Sequence, residues 1–196
     1  MDQVKKQAGL AKLQGELVLL DRQITLCKEQ QGAIIYNALA QRWHNEEDAN
    51  NEKDASAELP LPGLEAAFQA TSEDLLPLNG KRNQLQDQLE VQNTAPQGMS
   101  SFFTNAKLST ELAYYEREIK LRLGIFGHQL FDDLKLLDAN DGQPFPETDD
   151  YNVGQILNEA RNAMCEALQQ KKDKEDEMEA AKAADVTHMV FKIVTE

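Results

Sequence analysis

Three histidines, two cysteines and two runs of carboxylates are the residues of this chain with chemistry to offer. A di-iron bundle needs Glu from two helices and Glu-x-x-His from two others. None of His44, His128 and His188 has Glu three residues before it, and the single Asp185/His188 pair makes no site. Asp138, Asn140, Asp141 and Gly142 have the residue types of a calcium loop. An EF-hand, however, places its glycine sixth and an acidic ligand twelfth. Aligning Gly142 with the sixth place puts Leu137 first and Thr148 twelfth, which rules the motif out. Cys27 and Cys165 stand on separate helical patterns without Cys-x-x-Cys or Cys/His spacing, so neither zinc nor a disulfide framework is indicated. No phosphate-cradling glycine loop or serine elbow occurs. The expectation is a chain with no metal, no cofactor and no catalytic residues, and hence not an enzyme.

The carboxylates gather in two polar stretches. Between Glu46 and Glu58 lie six carboxylates and one lysine, and Asp138 to Asp150 holds five carboxylates and no base. Together they carry -10 of the formal net charge of -14. In an up-down-up-down bundle both connections sit at one end, so the charge is focused at one pole. Glu46, Glu47, Asp48, Asp149 and Asp150 are therefore candidates for docking a basic segment of another protein, or for weakly gathering divalent cations. The same charge makes nucleic acid and anionic lipid poor partners, since both are repelled at long range.

Two glycines lie inside helical patterns, Gly32 and Gly127. Glycine costs a helix about 1 kcal/mol relative to alanine, so the missing side chain has a use. One use is a close crossing in which the two glycines meet each other or a bulky side chain. The other is a notch beside Tyr36 and Phe131 where a partner's side chain docks. Arg22 and Arg117, each following an acidic residue, read as solvated or ion-pairing residues.

Those glycines are equivalent positions of a duplication. Ala11 to Ala40 returns ninety-five residues later as Ala106 to Lys135, and ten of the thirty positions are identical: 11, 12, 13, 16, 17, 22, 24, 26, 32 and 39. The apolar spacing is helical throughout. In the first segment Leu10, Leu13, Leu17, Leu20, Ile24, Cys27, Gln31 and Ile34 form one 3,4-spaced seam, which predicts helix from about Gln3 to Trp43. A second seam runs through Leu64, Phe68, Thr71, Leu75, Leu78, Arg82, Leu85 and Leu89, with Pro77 and Gly80 inside it predicting a kink or a split into two helices. The third runs from Leu108 to Leu137 and the fourth from Val153 to Ala181. Lys171 to Asp185 is charged enough to project as a solvated single helix. Val186 to Thr195 is β-branched, and reads either as a short strand-like tail or as an apolar segment tucked against the bundle.

The expected fold is all-α: duplicated long helical hairpins forming an antiparallel four-helix bundle or an elongated coiled coil. Repeat 1 occupies residues 1–92, a linker 93–105, repeat 2 residues 106–184 and the tail 185–196, within one folded domain. No run approaches the roughly 18 apolar residues of a membrane span, and Met1 to Ala8 has no apolar signal core, which predicts a cytoplasmic protein with no integral membrane segment.

The repeat core, E-L-x-x-x-[DE]-R-[QE]-I-x-L followed by G-x-x-[IL]-[YF]-[ND], spans Glu16 to Leu26 with Gly32 to Asn37, and again Glu111 to Leu121 with Gly127 to Asp132. It resembles a segment of uncharacterised coiled-coil proteins of diatoms and oomycetes, some of them SNARE-like or labelled as trafficking proteins. The resemblance covers about a third of the chain. It implies an interaction or vesicle-trafficking role rather than catalysis, and it transfers no site residues. The expected function is a protein–protein interaction or scaffold module that binds helical or basic partner segments, with a homodimer among the possible assemblies. A peripheral membrane-remodelling module of crescent dimers is the alternative, and the lack of a basic composition weighs against it.

Overall fold

A computed structural model describes residues 2–48, 59–94, 99–146 and 153–195; for residues 2–6, 44–48, 99–100 and 184–195 it describes the backbone alone. The fold is all-α. Helices α1 (Asp2–Asp48), α2 (Leu64–Thr94), α3 (Met99–His128) and α4 (Val153–Thr195) account for nearly all of it, and no strand occurs among the described residues. At 1.5 Å per residue the 47 residues of α1 extend about 70 Å. The chain divides into two compact units, one of Met1–Cys27 with Glu159–Glu196 and one of Lys28–Asn158.

In the first unit the beginning of α1 packs against α4. Leu13, Ala160 and Met164 are buried, while Leu10, Leu17, Leu20, Ile24, Ala167 and Met178 are half-buried. Lys171 Nζ reaches Asp21 at 2.7 Å and Lys174 Nζ reaches Glu16 at 3.1 Å. As the residue number falls on α1 it rises on α4, so the pair is antiparallel. These two lysines occupy seam positions of α4. Their methylene stems cover the seam while their ammonium groups meet carboxylates of α1. The charged stretch beginning at Lys171 is therefore packed through Lys174 rather than projecting alone. Hydrogen bonds donated to Glu177 and Glu16 hold the Lys174 ammonium above its ordinary pKa, and the one donated to Asp21 does the same for Lys171. Lys174 in turn holds the Glu16 carboxyl below the usual range.

The second unit holds the larger core. Ile35, Leu39, Leu61, Leu64, Leu75, Phe126, Leu130, Leu136, Val153 and Leu157 are each at most 2% exposed. Helices α2 and α3 pack side by side: Asn93 meets Asn105 at 3.2 Å and Asp74 meets Arg122 at 3.6 Å, an antiparallel register. Tyr36 stacks tilted on Phe68 with centroids 5.1 Å apart and meets Phe126 edge-on at 6.0 Å; Trp43 lies 5.2 Å from Phe68. The Tyr36 hydroxyl shares a 3.1 Å hydrogen bond with Ser72, which satisfies its polar end inside an apolar setting. Asn158 fixes the chain entering α4, accepting from the Phe145 N–H at 2.8 Å and donating to the Phe145 carbonyl at 3.0 Å.

Several expectations need correcting. The α2 seam is inward as spaced, but Pro77 neither splits the segment nor ends it, and α2 is one helix. Residues 99–105 are helical rather than linker, because no breaker follows Gly98 and Ser100 to Asn105 tolerate helix. Residues 186–195 continue α4 as helix, not strand. Ile34 is 49% exposed whereas Ile35 is fully buried, so the seam of α1 changes phase after Cys27, to Gly32, Ile35, Leu39 and Arg42. The third seam ends in a π-helical turn, Gln129–Asp133, in which Leu134 N–H donates to Gln129 O at 3.0 Å. Lys135 then enters the left-handed region at φ 52°, and Leu136 N–H returns to Leu130 O, closing the helix end.

Candidate functional site

Gly32 and Gly127 meet backbone to backbone. A Cβ on Gly32 would collide with the Gly127 Cα and stand 2.8 Å from Leu123 O; a Cβ on Gly127 would collide with the Lys28 carbonyl. Leu123 is the repeat equivalent of Lys28, so each glycine faces the same position of the other copy. Gly124 and Glu29, also equivalents, meet as well, a Cβ on Gly124 lying 3.1 Å from Glu29 Cγ. Reciprocal contacts of this kind are those of a two-fold related pair. The missing side chains are thus used by the chain itself, and no room is left between the two glycines for a partner's side chain. Phe131 is buried at 5% exposure and Tyr36 is enclosed by Phe68, Phe126 and Ser72, so the notch beside them is filled from within.

One ion pair flanks the crossing. Lys28 Nζ lies 2.5 Å from Asp132 Oδ1, and His128 Nδ1 is 3.4 Å from the other carboxylate oxygen. The Lys28 hydrogen bond holds the Asp132 carboxyl below its ordinary range against the opposing effect of partial burial. The group links α1 to the π turn of the third helix. Nothing in it offers an open coordination position or a nucleophile.

Of the acidic candidates, Glu46, Glu47 and Asp48 form the last turn of α1, with side chains outside the described set, and Asp149 and Asp150 lie outside the described residues. Among the described residues no group of three His, Cys, Asp or Glu side chains converges as a metal site requires. No described helix is long and apolar enough to cross a membrane.

The surface carries a feature that the inward seams pass over. Leu19 and Leu26 of α1 are 60% and 41% exposed, and their equivalents on α3, Tyr114 and Leu121, are 57% and 53% exposed. Each pair is one heptad apart. Arg22 and Arg117 stand exposed at the intervening equivalent position. Apolar residues off the main seam, repeated at the same two places of a duplication, are a signal the sequence contains, and it emerges once outward residues are compared as inward ones were.

Comparisons with protein-family models, with curated proteins and with solved structures return no match to this chain.

Proposed function

We propose that this chain is a non-enzymatic protein–protein interaction or scaffold module of the cytoplasm, taking helical or basic segments of other proteins on the outer faces of its long helices. The observation carrying this reading is the repeated exposure of Leu19 with Leu26 and of Tyr114 with Leu121, large apolar residues left 41–60% exposed at equivalent places of the two repeats. Large side chains in register along an exposed helix face are what a helix-in-groove or coiled-coil partner uses. The acidic stretches ending α1 and preceding α4 offer a second, electrostatic face for basic segments. Vesicle trafficking is the setting that the resemblance of the repeat core implies.

Affinity capture with the wild-type chain and with L19D/L26D and Y114D/L121D variants tests the reading. Proteins held by the wild type and by V91D, a change on an exposed position of α2, should be lost from the paired variants. Retention of the same proteins by all the variants would remove the helix faces from the function. Retention lost only when Glu46, Glu47 and Asp48 are neutralised would assign it to the acidic stretch instead.

A further inference from the structure

Charge disappears from one end of the α2/α3 pair. Val91 to Ala106 is a run of 16 residues without Asp, Glu, Lys, Arg or His, the longest such run in a chain that is 28% charged. Asn105 of α3 donates to Asn93 of α2 at 3.2 Å, and in that antiparallel register Glu90 and Lys107 stand at nearly one level. Both helices therefore lose their charges at the same height. From Lys107 to Met99, where α3 begins, the distance is about 12 Å at 1.5 Å per residue.

Two aromatic residues stand out from this uncharged end. Phe102 and Phe103 are 71% and 70% exposed, with their rings edge-on and centroids 6.0 Å apart. Consecutive residues of a helix point about 100° apart, so a partner helix lying along α3 would cover one ring and leave the other in water. Val91 of α2 is exposed as well, as are Asn93, Thr94, Thr104 and Ala106. Uncharged surface is thus shared by both helices instead of forming a stripe on one of them, and its occupant must surround the end. The amides and hydroxyls among the rings suit a layer that still offers hydrogen bonds, since a dry apolar pocket would leave them unsatisfied.

We infer that this end of the α2/α3 pair enters the headgroup layer of a bilayer without net charge, with Phe102 and Phe103 as its anchors. The two rings lie about 5 Å from the start of α3, and apolar side chains of interfacial helices sit about 5–10 Å into that layer. Aromatic side chains favour the boundary between water and hydrocarbon. Glu90 and Lys107 set the limit of entry, because ionised groups resist leaving water. The net charge of -14 selects the lipid: an anionic surface repels the body of the protein, whereas a zwitterionic one does not. Two rings make a weak anchor, so attachment is reversible and needs abundant lipid. The inference is separate from the outer faces of Leu19 and Tyr114, and adds a lipid surface to the protein partners proposed for them.

The probe is a phosphatidylcholine vesicle at millimolar lipid, mixed with the full chain and floated through a density gradient. The wild type should float with the vesicles, and F102S/F103S should lose at least about fivefold of the bound fraction with its helical signal and thermal midpoint unchanged. V18S, a change at an exposed apolar position of α1, should bind as wild type. Adding phosphatidylserine to the vesicles should weaken binding, and salt should restore it. In F103W the emission should move to the blue on adding vesicles and be quenched by brominated acyl chains, while the wild-type signal from Trp43, which lies against Phe68, should not move. Wild type that stays below the vesicles, equal flotation of F102S/F103S, or an unshifted F103W would overturn the inference. Tighter binding to phosphatidylserine than to phosphatidylcholine would overturn it too. A captured protein lost from F102S/F103S without any flotation would give this end to a protein partner, and a dimer dissolved by the same change would give it to a second copy; either result removes the bilayer. None of these outcomes bears on the outer faces, which the L19D/L26D and Y114D/L121D variants judge by themselves.

Discussion

Gly32 of α1 and Gly127 of α3 are the same residue in two copies of one segment, and they lie against each other. Two helices can approach this closely only where neither carries a Cβ, so the contact explains why glycine, a poor helix former, stands at this place in both copies.

Alanine at this contact should therefore destabilise the protein even though alanine is the better helix former. G127A sets a methyl group against the Lys28 carbonyl, and overpacking of about 1–3 kcal/mol outweighs a propensity gain of about 1 kcal/mol. A net loss of up to about 2 kcal/mol is expected in urea unfolding. The control is G80A, where a Cβ meets open space, and there a gain of about 0.5–1 kcal/mol is expected. Equal effects of the two substitutions would contradict the crossing.

Phe126 is fully buried and packs edge-on against Tyr36. F126A should cost about 3–5 kcal/mol, the range for a large aromatic replaced by alanine in a core. L121Q, at an exposed position of the same helix, should lie within about 0.5 kcal/mol of wild type. Thermal scans of the two variants read the difference directly.

Acidification should weaken the fold through Asp132 and Glu16. Both carboxyls are held below their unfolded values, by Lys28 and Lys174 respectively. Such groups contribute stability above the unfolded pKa and lose it as pH falls through the folded one, so the loss belongs below about pH 4. The acid limb of a stability–pH curve should be shallower in D132N than in wild type. Lys171 and Lys174 act at the other end: their raised values give stability at neutral pH that fades as pH rises past the ordinary lysine range. All four groups are in partial contact with solvent, so the effects are modest and salt should reduce them.

The two thiols should react at different rates. Burial pushes the Cys27 thiol above its ordinary pKa, while Cys165 is exposed on α4. Titration with a chromogenic disulfide near pH 8 should show one fast and one slow thiol. C165S should remove the fast phase.

Much of this architecture is legible from spacing alone. The seams through Leu64, Phe68, Thr71 and Leu75 and through Val153, Leu157, Ala160 and Met164 are buried as the 3,4 pattern requires. Pro77 misleads because an exposed helix face tolerates one lost hydrogen bond when the opposite face is held by packing. Ile34 misleads because a heptad count assumes constant phase. The close contact at Gly32 instead fixes which side of α1 is inward there, and Ile35 takes the buried place. The π turn after His128 has no local signature. The exposed pairs Leu19/Tyr114 and Leu26/Leu121 are visible in the repeat alignment, but inward periodicity reports only on residues that pack within the chain.

The reciprocal crossing has a consequence for how this protein can change. In a homodimer any substitution at a two-fold interface is made on both sides at once, and a new charge must tolerate its own image. Here the two sides belong to one chain and vary separately. Lys28 faces Asp132 on one side of the crossing, whereas the equivalent positions on the other side hold Leu123 and Asn37. Covalent linkage has made an asymmetric ion pair compatible with an otherwise symmetric contact.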